Sequence, residues 1–448
     1  MSYITAASFL PDYLVIRLTN NLTAFANPDD IEGFTTQTIG YFFHEWVHYL
    51  HNVSTLHGIT AFENAVAIWS DFRHSCSVGT YSTGLANLSS DLTQDIAQRL
   101  AFWRASRLSS KSKFPNWALS ELKLISVEGE LRRLLGSEYD VTKLRCDVAP
   151  SEQIDEVASV LIGSHEIIEG VAWMLEDRLN TALGKISPAP RVSPYQLVRN
   201  IFRLKYPFLT DEEIIVCMLC SLQDSDPPAT LLMIFELIES LHSKGASLID
   251  ELRARAVKTL SGNEPFATEV LRRIEARFPV DEPMAKAVKS VVNTMSRNLK
   301  RRLQDPFFEL AIVDAVSRNL QVMDDSIREY GACCVIQQRS GDPDDVCRDL
   351  MFDFVRSDER DERLEFGWRK MHAAFNFMQI HIREHSFLPT SALPGCPCPF
   401  YTTCNLSLRV EKPSVCSQTP WKWSETEDVR ETMCWYAAAT FASSRGEQ

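Results

Sequence analysis

Two histidines four residues apart, with a glutamate directly after the first, form the pattern in this sequence that points most clearly to chemistry. The pentad His44-Glu45-Trp46-Val47-His48 has the form HExxH. On a helix, side chains at positions i and i+4 project from the same face, so both imidazoles can bind one metal ion. Glu45 lies about 100° around the helix, where it can act on a water molecule without becoming a ligand.

Zinc is the metal that these residue types favour, because Zn²⁺ binds imidazole nitrogens and carboxylate oxygens in a tetrahedron. A catalytic zinc site keeps one position open for water, and zinc lowers the pKa of that water to about 7. We therefore predict that His44 and His48 are zinc ligands and that Glu45 is the general base. The alternative is an amphipathic helix with two surface histidines. The apolar residues at 41–43 and Leu50 disfavour this alternative, because they would place the two imidazoles in a buried environment. Buried imidazoles need hydrogen-bonding or metal partners.

A third protein ligand is expected from another part of the chain. Glu169 is the stronger candidate, because a second helix packed against the first can present its carboxylate to the metal. The small residues Gly170 and Ala172 beside it are expected to let the two helices approach closely. Other carboxylates stay open as the third ligand or as partners that orient a ligand imidazole. These are Glu166, Asp177, Glu63 and Asp71.

HExxH followed by a helix bearing E-G-x-A resembles the gluzincin metallopeptidases, and the phrase HEWVHYL is similar to the catalytic helix of bacterial collagenases. The resemblance rests on these two short segments. It implies a zincin-like catalytic part, Glu169 as the third zinc ligand, and hydrolysis of peptide bonds. Trp173 stands where some gluzincins carry an Asp that orients the first histidine. A donor to the oxyanion is also expected, and three residues remain open for this role. They are His165, Tyr81 and Tyr195.

Four cysteines near the end of the chain form a second candidate metal site. Cys396, Cys398, Cys404 and Cys416 have loop spacing and could together hold a structural zinc ion. Free thiols and a disulfide remain the alternatives. The CxxC pair at 217 and 220 falls in an apolar helix, where cysteines act as small core hydrophobes.

Three histidines on a late helical segment are the other candidates for metal binding. His381 and His385 are four residues apart, and His372 precedes them by about two turns. No glutamate directly follows His381, so this pair lacks the general base of an HExxH pentad. We therefore predict a surface or helix-terminal role for the three.

The elements that must position these residues are mostly helices. Apolar periodicity predicts a mainly α-helical (α+β) chain, with a strand at 14–19, helices at 35–52, 59–73 and 91–108, a small β element within 122–148, and one long helix over 151–183. The proline-rich stretch 187–194 suggests a boundary, followed by seven or eight helices over 195–385. We accordingly divide the chain into three units. They are a zincin-like metallopeptidase domain (1–185), a helical domain (195–390) and a Cys/Trp-rich segment stabilised by zinc (391–448).

Composition narrows the classes of function. The chain has 448 residues, of which 45% are hydrophobic, and a formal net charge of −13. This charge repels phosphate backbones and anionic membrane surfaces, so neither nucleic acid nor membrane is expected as a partner. No uninterrupted apolar run is long enough to span a bilayer, and the 12 cysteines are too dilute for a disulfide scaffold. A cytoplasmic location follows as a prediction.

Together these observations predict a zinc-dependent metallopeptidase that cleaves a specific protein substrate. The sequence leaves open whether the protein also binds a second, structural zinc ion and a regulatory partner. Two alternatives remain. One is a non-catalytic helical interaction protein with a structural HExxH, and the other is a zinc hydrolase that acts on a non-peptide substrate.

Overall fold

The structure, a computed structural model, is mainly helical with a few small sheets, as the periodicity predicts. It describes residues 7–19, 34–76, 81–86, 88–107, 113–115, 118–133, 140–151, 156–187, 190–278, 284–331, 334–337, 350–353, 362–404, 406–425 and 434–444. None of the helices in these ranges combines the length and the apolar character that a bilayer crossing requires.

The part of the fold that contains the HExxH pentad and Glu169 includes four helices. They are α1 (Ile39–Ser54), α2 (Leu56–His74), α3 (Ser90–Arg107) and α4 (Ser164–Ala182). Helix α1 carries the pentad, and every residue of it except Tyr41 is buried. A helix that is buried around nearly its whole circumference must be enclosed by its neighbours. The predicted helices at 35–52, 59–73 and 91–108 are confirmed, with ends that differ by a few residues.

The segment before Glu169 departs from the prediction of one long helix over 151–183. Residues 158–162 form strand β5 (Ala158–Ile162), and α4 begins only at Ser164, while 152–155 lie outside the described residues. Strand β5 pairs antiparallel with β4 (Asp140–Pro150), which pairs in turn with β3 (Leu122–Arg133). The residues of β5 alternate between more and less buried positions, as expected of a paired strand. The pairing with β4 is a tertiary effect, and it overrides the local helical tendency of this segment.

A second sheet joins distant parts of the chain in the order β1-β2-β6-β7. Its strands are β1 (Ala7–Leu10), β2 (Val15–Leu18), β6 (Cys334–Gln337) and β7 (Leu350–Asp353). Strand β2 is the predicted strand at 14–19, and it pairs in parallel with β6. Within the described residues, β1 is an edge strand whose one neighbour is β2, and it packs against α1.

The remaining elements are mostly helices. The described residues between 197 and 381 form nine helices rather than the seven or eight expected. They are α5 (Leu197–Lys205), α6 (Asp211–Leu222), α7 (Pro227–His242), α8 (Leu248–Gly262), α9 (Glu264–Ala276), α10 (Ala285–Gln304), α11 (Phe308–Arg318), α12 (Val322–Tyr330) and α13 (Glu362–His381). The short strands β8 (Ile382–Arg383) and β9 (Ser386–Phe387) form a hairpin. Helices α14 (Ser407–Glu411), α15 (Pro413–Gln418) and α16 (Trp435–Ser444) follow. One cluster of buried apolar side chains runs from Ala7 to Ala442, across both predicted boundaries.

A buried ion pair fixes the carboxyl end of α1. Arg302 and Glu309 have fully buried side chains, and Arg302 Nη1 donates to Glu309 Oε2 at 2.9 Å. Arg302 Nη2 also donates to Ser54 Oγ at 2.8 Å, and His51 Nε2 lies 3.2 Å from Glu309 Oε1. Burial alone would raise the pKa of Glu309, but the charge of Arg302 and the contact with His51 lower this pKa to about 2.

We expect Glu309→Gln to destabilise the fold by about 3–5 kcal/mol at pH 7, because it leaves the Arg302 guanidinium buried without its counter-charge. The folded-state pKa of Glu309 is below that of the unfolded chain. The stabilisation is therefore complete above about pH 4.5 and is lost as the pH falls towards 2. Urea unfolding of both proteins at pH 7 measures the difference. Glu329→Gln, at a half-exposed partner of Arg301, is the matched control and should cost less than about 1 kcal/mol. Equal costs for the two variants would contradict the assignment.

Candidate metal site

Helices α1 and α4 pack side by side, and a glycine on α1 permits their approach. A Cβ atom built on Gly40 would lie 2.8 Å from Asn180 Oδ1 of α4, closer than real contacts allow. The sequence argument assigned this role to Gly170 on α4. That assignment is wrong, because a Cβ on Gly170 would instead meet Met218 Sδ at 3.4 Å and the Tyr195 carbonyl at 3.5 Å.

The helix pair brings the three predicted metal ligands together. His44 Nε2 and His48 Nε2 are 3.1 Å apart, and Glu169 Oε2 lies 3.6 Å from the first and 3.5 Å from the second. Ligand atoms about 2.0–2.2 Å from a tetrahedral zinc ion would be separated by about 3.3–3.5 Å. The measured separations fall close to this range. Among the described residues, these three are the one group of His, Cys, Asp or Glu whose ligand atoms all lie within 4.8 Å of one another.

A fourth residue, which the sequence analysis missed, orients the first imidazole. His44 Nδ1 lies 3.1 Å from Glu176 Oε2, so the ring can donate its Nδ1 hydrogen and leave the Nε2 lone pair for the metal. Glu176 is two helical turns after Glu169 and therefore on the same face of α4. This two-turn spacing from Glu169 is the signal in the sequence that identifies Glu176. Its neighbour Asp177 was proposed instead, although it lies about 100° away around the helix.

The rival acids have other partners. Glu166 Oε2 accepts a hydrogen bond from the Gly163 backbone N–H at 2.8 Å, so this carboxylate caps the amino end of α4. Asp71 Oδ2 is 2.8 Å from Arg99 Nε, and Glu63 Oε1 is 2.9 Å from Arg277 Nη1. Among the described residues, none of the three joins the group formed by His44, His48 and Glu169.

The electrostatics of the site reflect a buried carboxylate beside two imidazoles. Burial alone would lower the pKa of His44, but its hydrogen bonds with Glu169 and Glu176 hold this pKa well above the usual value. Burial alone would raise the pKa of Glu169, yet the neighbouring His48 and His44 hold it well below its usual range. Both shifts favour a positive charge between the ligands, the role that a metal ion fills.

Glu45 stands beside the ligands but does not join them. Burial is the main cause that raises the pKa of Glu45, and the charge of Glu169 raises it further. The two pentad histidines lower this pKa, as does a hydrogen bond from the backbone of Phe9 on β1. A carboxylate whose pKa is raised towards neutrality is a stronger base than a free one, which suits a proton-transfer role.

A cavity of about 300 Å³ opens onto the three ligands and Glu45. Tyr195 and His165 line it, whereas Tyr81 is not among its lining residues. The ring of Tyr195 meets that of His44 edge-on, with centroids 6.0 Å apart. Burial, followed by the charge of Glu169, raises the pKa of Tyr195 to about 12. Its hydroxyl is therefore protonated at neutral pH and can donate a hydrogen bond. Tyr195 and His165 thus stay open as oxyanion donors, and the ring contact places Tyr195 beside a candidate ligand.

The late helix does not assemble a second histidine site. His372 and His381 are buried in α13, and His385 is exposed beyond it. The predicted surface role is therefore wrong for His372, which packs between the rings of Tyr13 and Phe400 at 4.8 Å from each. His381 is helix-terminal as predicted, but it is buried.

The two cysteine groups that the sequence singles out lie in different parts of the fold. Cys217 and Cys220 are buried in α6, as predicted for core residues. Cys398, Cys404 and Cys416 line one small cavity near the end of the chain, whereas Cys396 does not line it.

Comparison of the chain with protein-family models, curated proteins and solved structures gives no match.

We expect Glu176→Gln to weaken zinc binding by about 10- to 100-fold, because the amide no longer supplies the charge that orients His44. Asp177→Asn is the matched control on the adjacent position of α4 and should leave zinc affinity unchanged. Competition titrations with a chromophoric zinc chelator measure both affinities. A larger loss from Asp177→Asn than from Glu176→Gln would refute the assignment of the orienting carboxylate.

Proposed function

We propose that this chain is a zinc-dependent metallopeptidase of the zincin-like kind that hydrolyses peptide bonds of a protein substrate. The observation that carries the proposal is the convergence of His44, His48 and Glu169 on one point beside Glu45. Two neutral imidazoles and one carboxylate are the donor set of a catalytic zinc site with one open position. The residues present therefore fit the ion.

When bound, zinc would polarise the scissile carbonyl and acidify the attacking water. The remaining steps belong to side chains of the chain itself. Glu45 removes a proton from water as the water oxygen bonds to the carbonyl carbon. It then gives this proton to the departing amine nitrogen as the C–N bond breaks, so Glu45 ends the cycle unprotonated. Tyr195 donates its hydroxyl hydrogen to the developing oxyanion.

The edge strand β1 supports a peptide as the substrate. Residues Ala7, Ser8 and Phe9 line the cavity, and Phe9 contributes a backbone hydrogen bond to Glu45. An extended peptide can pair with the exposed groups of such a strand and so lie across the catalytic residues. A small non-peptide substrate would make no use of this edge.

The described cysteines support action in a reducing compartment. All ten of them are free thiols, although several lie close together near the end of the chain. Proteins of oxidising compartments usually pair such cysteines in disulfides. We therefore propose the cytoplasm as the location of the activity.

We expect Glu45→Gln to reduce hydrolysis by about 10²- to 10⁴-fold with the metal retained, because the amide cannot accept the proton from water. Turnover of peptide and non-peptide substrate libraries, with zinc content measured in parallel, checks this. Glu236→Gln, an exposed position on α7, is the control and should behave as the wild type.

Three outcomes would separate the proposal from its alternatives. Cleavage of peptides that depends on Glu45 supports it. Glu45-dependent turnover confined to non-peptide substrates would assign a different hydrolase. Zinc binding without any Glu45-dependent turnover would leave a structural role for the pentad.

We expect Tyr195→Phe to lower kcat by about 10²-fold with a smaller change in KM, because the lost hydroxyl acts mainly on the developing charge. Tyr81→Phe is the matched control, since Tyr81 does not line the cavity. Steady-state kinetics measure kcat and KM of the two variants. An unchanged kcat for Tyr195→Phe would remove Tyr195 from the mechanism.

A further inference from the structure

Four thiols surround a second, much smaller cavity in the C-terminal part of the chain. The cavity has a volume of about 20 Å³, which is room for a single water-sized particle. Its cysteines are Cys398, Cys404, Cys416 and Cys434. They come from the loop before α14, from α15, and from the residue that precedes α16. The other lining residues are mostly aromatic or aliphatic.

Hydrogen-bond donors already point at three of the four sulfur atoms. The Trp423 Nε1 hydrogen is directed at Cys416 Sγ at 3.2 Å. Backbone groups of Phe400 bond to the Cys398 sulfur, and those of Tyr436 and Ala437 bond to the Cys434 sulfur. Hydrogen bonds of this kind orient the side chains that ligate a metal ion.

A buried cation lies beside the same cavity. Arg409 lines it with only 4% of its surface exposed. Four thiolates around one divalent ion carry a net charge of −2, which is costly to bury without a nearby positive group. Arg409 supplies part of that charge.

We infer that Cys398, Cys404, Cys416 and Cys434 bind a structural zinc ion, independently of the catalytic site. Zinc prefers a closed tetrahedron of four thiolates in structural sites, at about 2.3 Å from each sulfur. The set differs from the one that the sequence spacing suggested, because Cys434 takes the place of Cys396. Cys396 does not line the cavity, whereas Cys434 does.

Zinc binding must draw the sulfur atoms inwards. Within the described part of the chain, no three cysteine sulfurs lie within 4.8 Å of one another, whereas sulfurs on one zinc ion are about 3.8 Å apart. Cys416 stands on the six-residue helix α15, whereas Cys398, Cys404 and Cys434 stand outside helices and strands, so the adjustment need not distort a long element. The ion would tie these segments to α16, which packs on α13.

The test uses the full chain and measures zinc per molecule by mass spectrometry of the metal. The wild type should hold about two zinc ions, and His44→Ala about one. Cys434→Ser should also reduce the content to about one, whereas the matched variant Cys396→Ser should keep about two. Cobalt added to metal-free His44→Ala should give the intense near-ultraviolet sulfur-to-cobalt band of a thiolate site. Because His44→Ala leaves the thiol site intact, failure of either site is seen separately.

A second measurement needs no variant and therefore does not depend on the folding of a mutant. Wild-type protein is alkylated before and after zinc removal by a chelator, and the modified cysteines are mapped by peptide mass spectrometry. Protection of positions 398, 404, 416 and 434, lifted by the chelator, supports the inference. Zinc-dependent protection of Cys396 with a reactive Cys434 would overturn this ligand set. Alkylation that is the same with and without zinc, or a disulfide among these positions, would overturn the site altogether.

Discussion

Two imidazoles and a carboxylate face one another at separations of 3.1–3.6 Å, and both imidazoles are buried. Their lone pairs face a common point, and such an arrangement is unfavourable unless a cation or shared protons occupy it. The raised pKa of His44 and the lowered pKa of Glu169 express the same demand for positive charge. Zinc meets that demand with one ion and leaves the nearby Glu45 free to move protons.

The rest of the fold can be understood as the support for this arrangement. Gly40 allows α1 to approach α4 closely, and the pair of Arg302 and Glu309 fixes the carboxyl end of α1 through Ser54. Strand β1 covers the cavity from another side. Each support comes from a different part of the chain, so the ligands stand on rigid elements rather than on loops. Rigid placement of this kind is what a catalytic geometry requires.

Local patterns allowed the main features of the site to be predicted, and long-range pairing decided what was missed. The HExxH spacing and a carboxylate on a second helix were sufficient to select His44, His48 and Glu169. The two-turn spacing from Glu169 also identifies Glu176, whereas the sequence argument selects its neighbour Asp177. In contrast, the pairing of β5 with β4 and of β2 with β6 depends on tertiary contacts that no local period reveals. The place of Cys434 beside Cys398 likewise depends on how α16 packs.

The measurement that tests the central claim most directly is an anomalous-difference map at the zinc absorption edge, from crystals of protein purified without chelators. The account predicts a peak within about 2.0–2.2 Å of Nε2 of both pentad histidines and of a Glu169 carboxylate oxygen. A map that shows no peak between these atoms, from protein that retains zinc in solution, would contradict it.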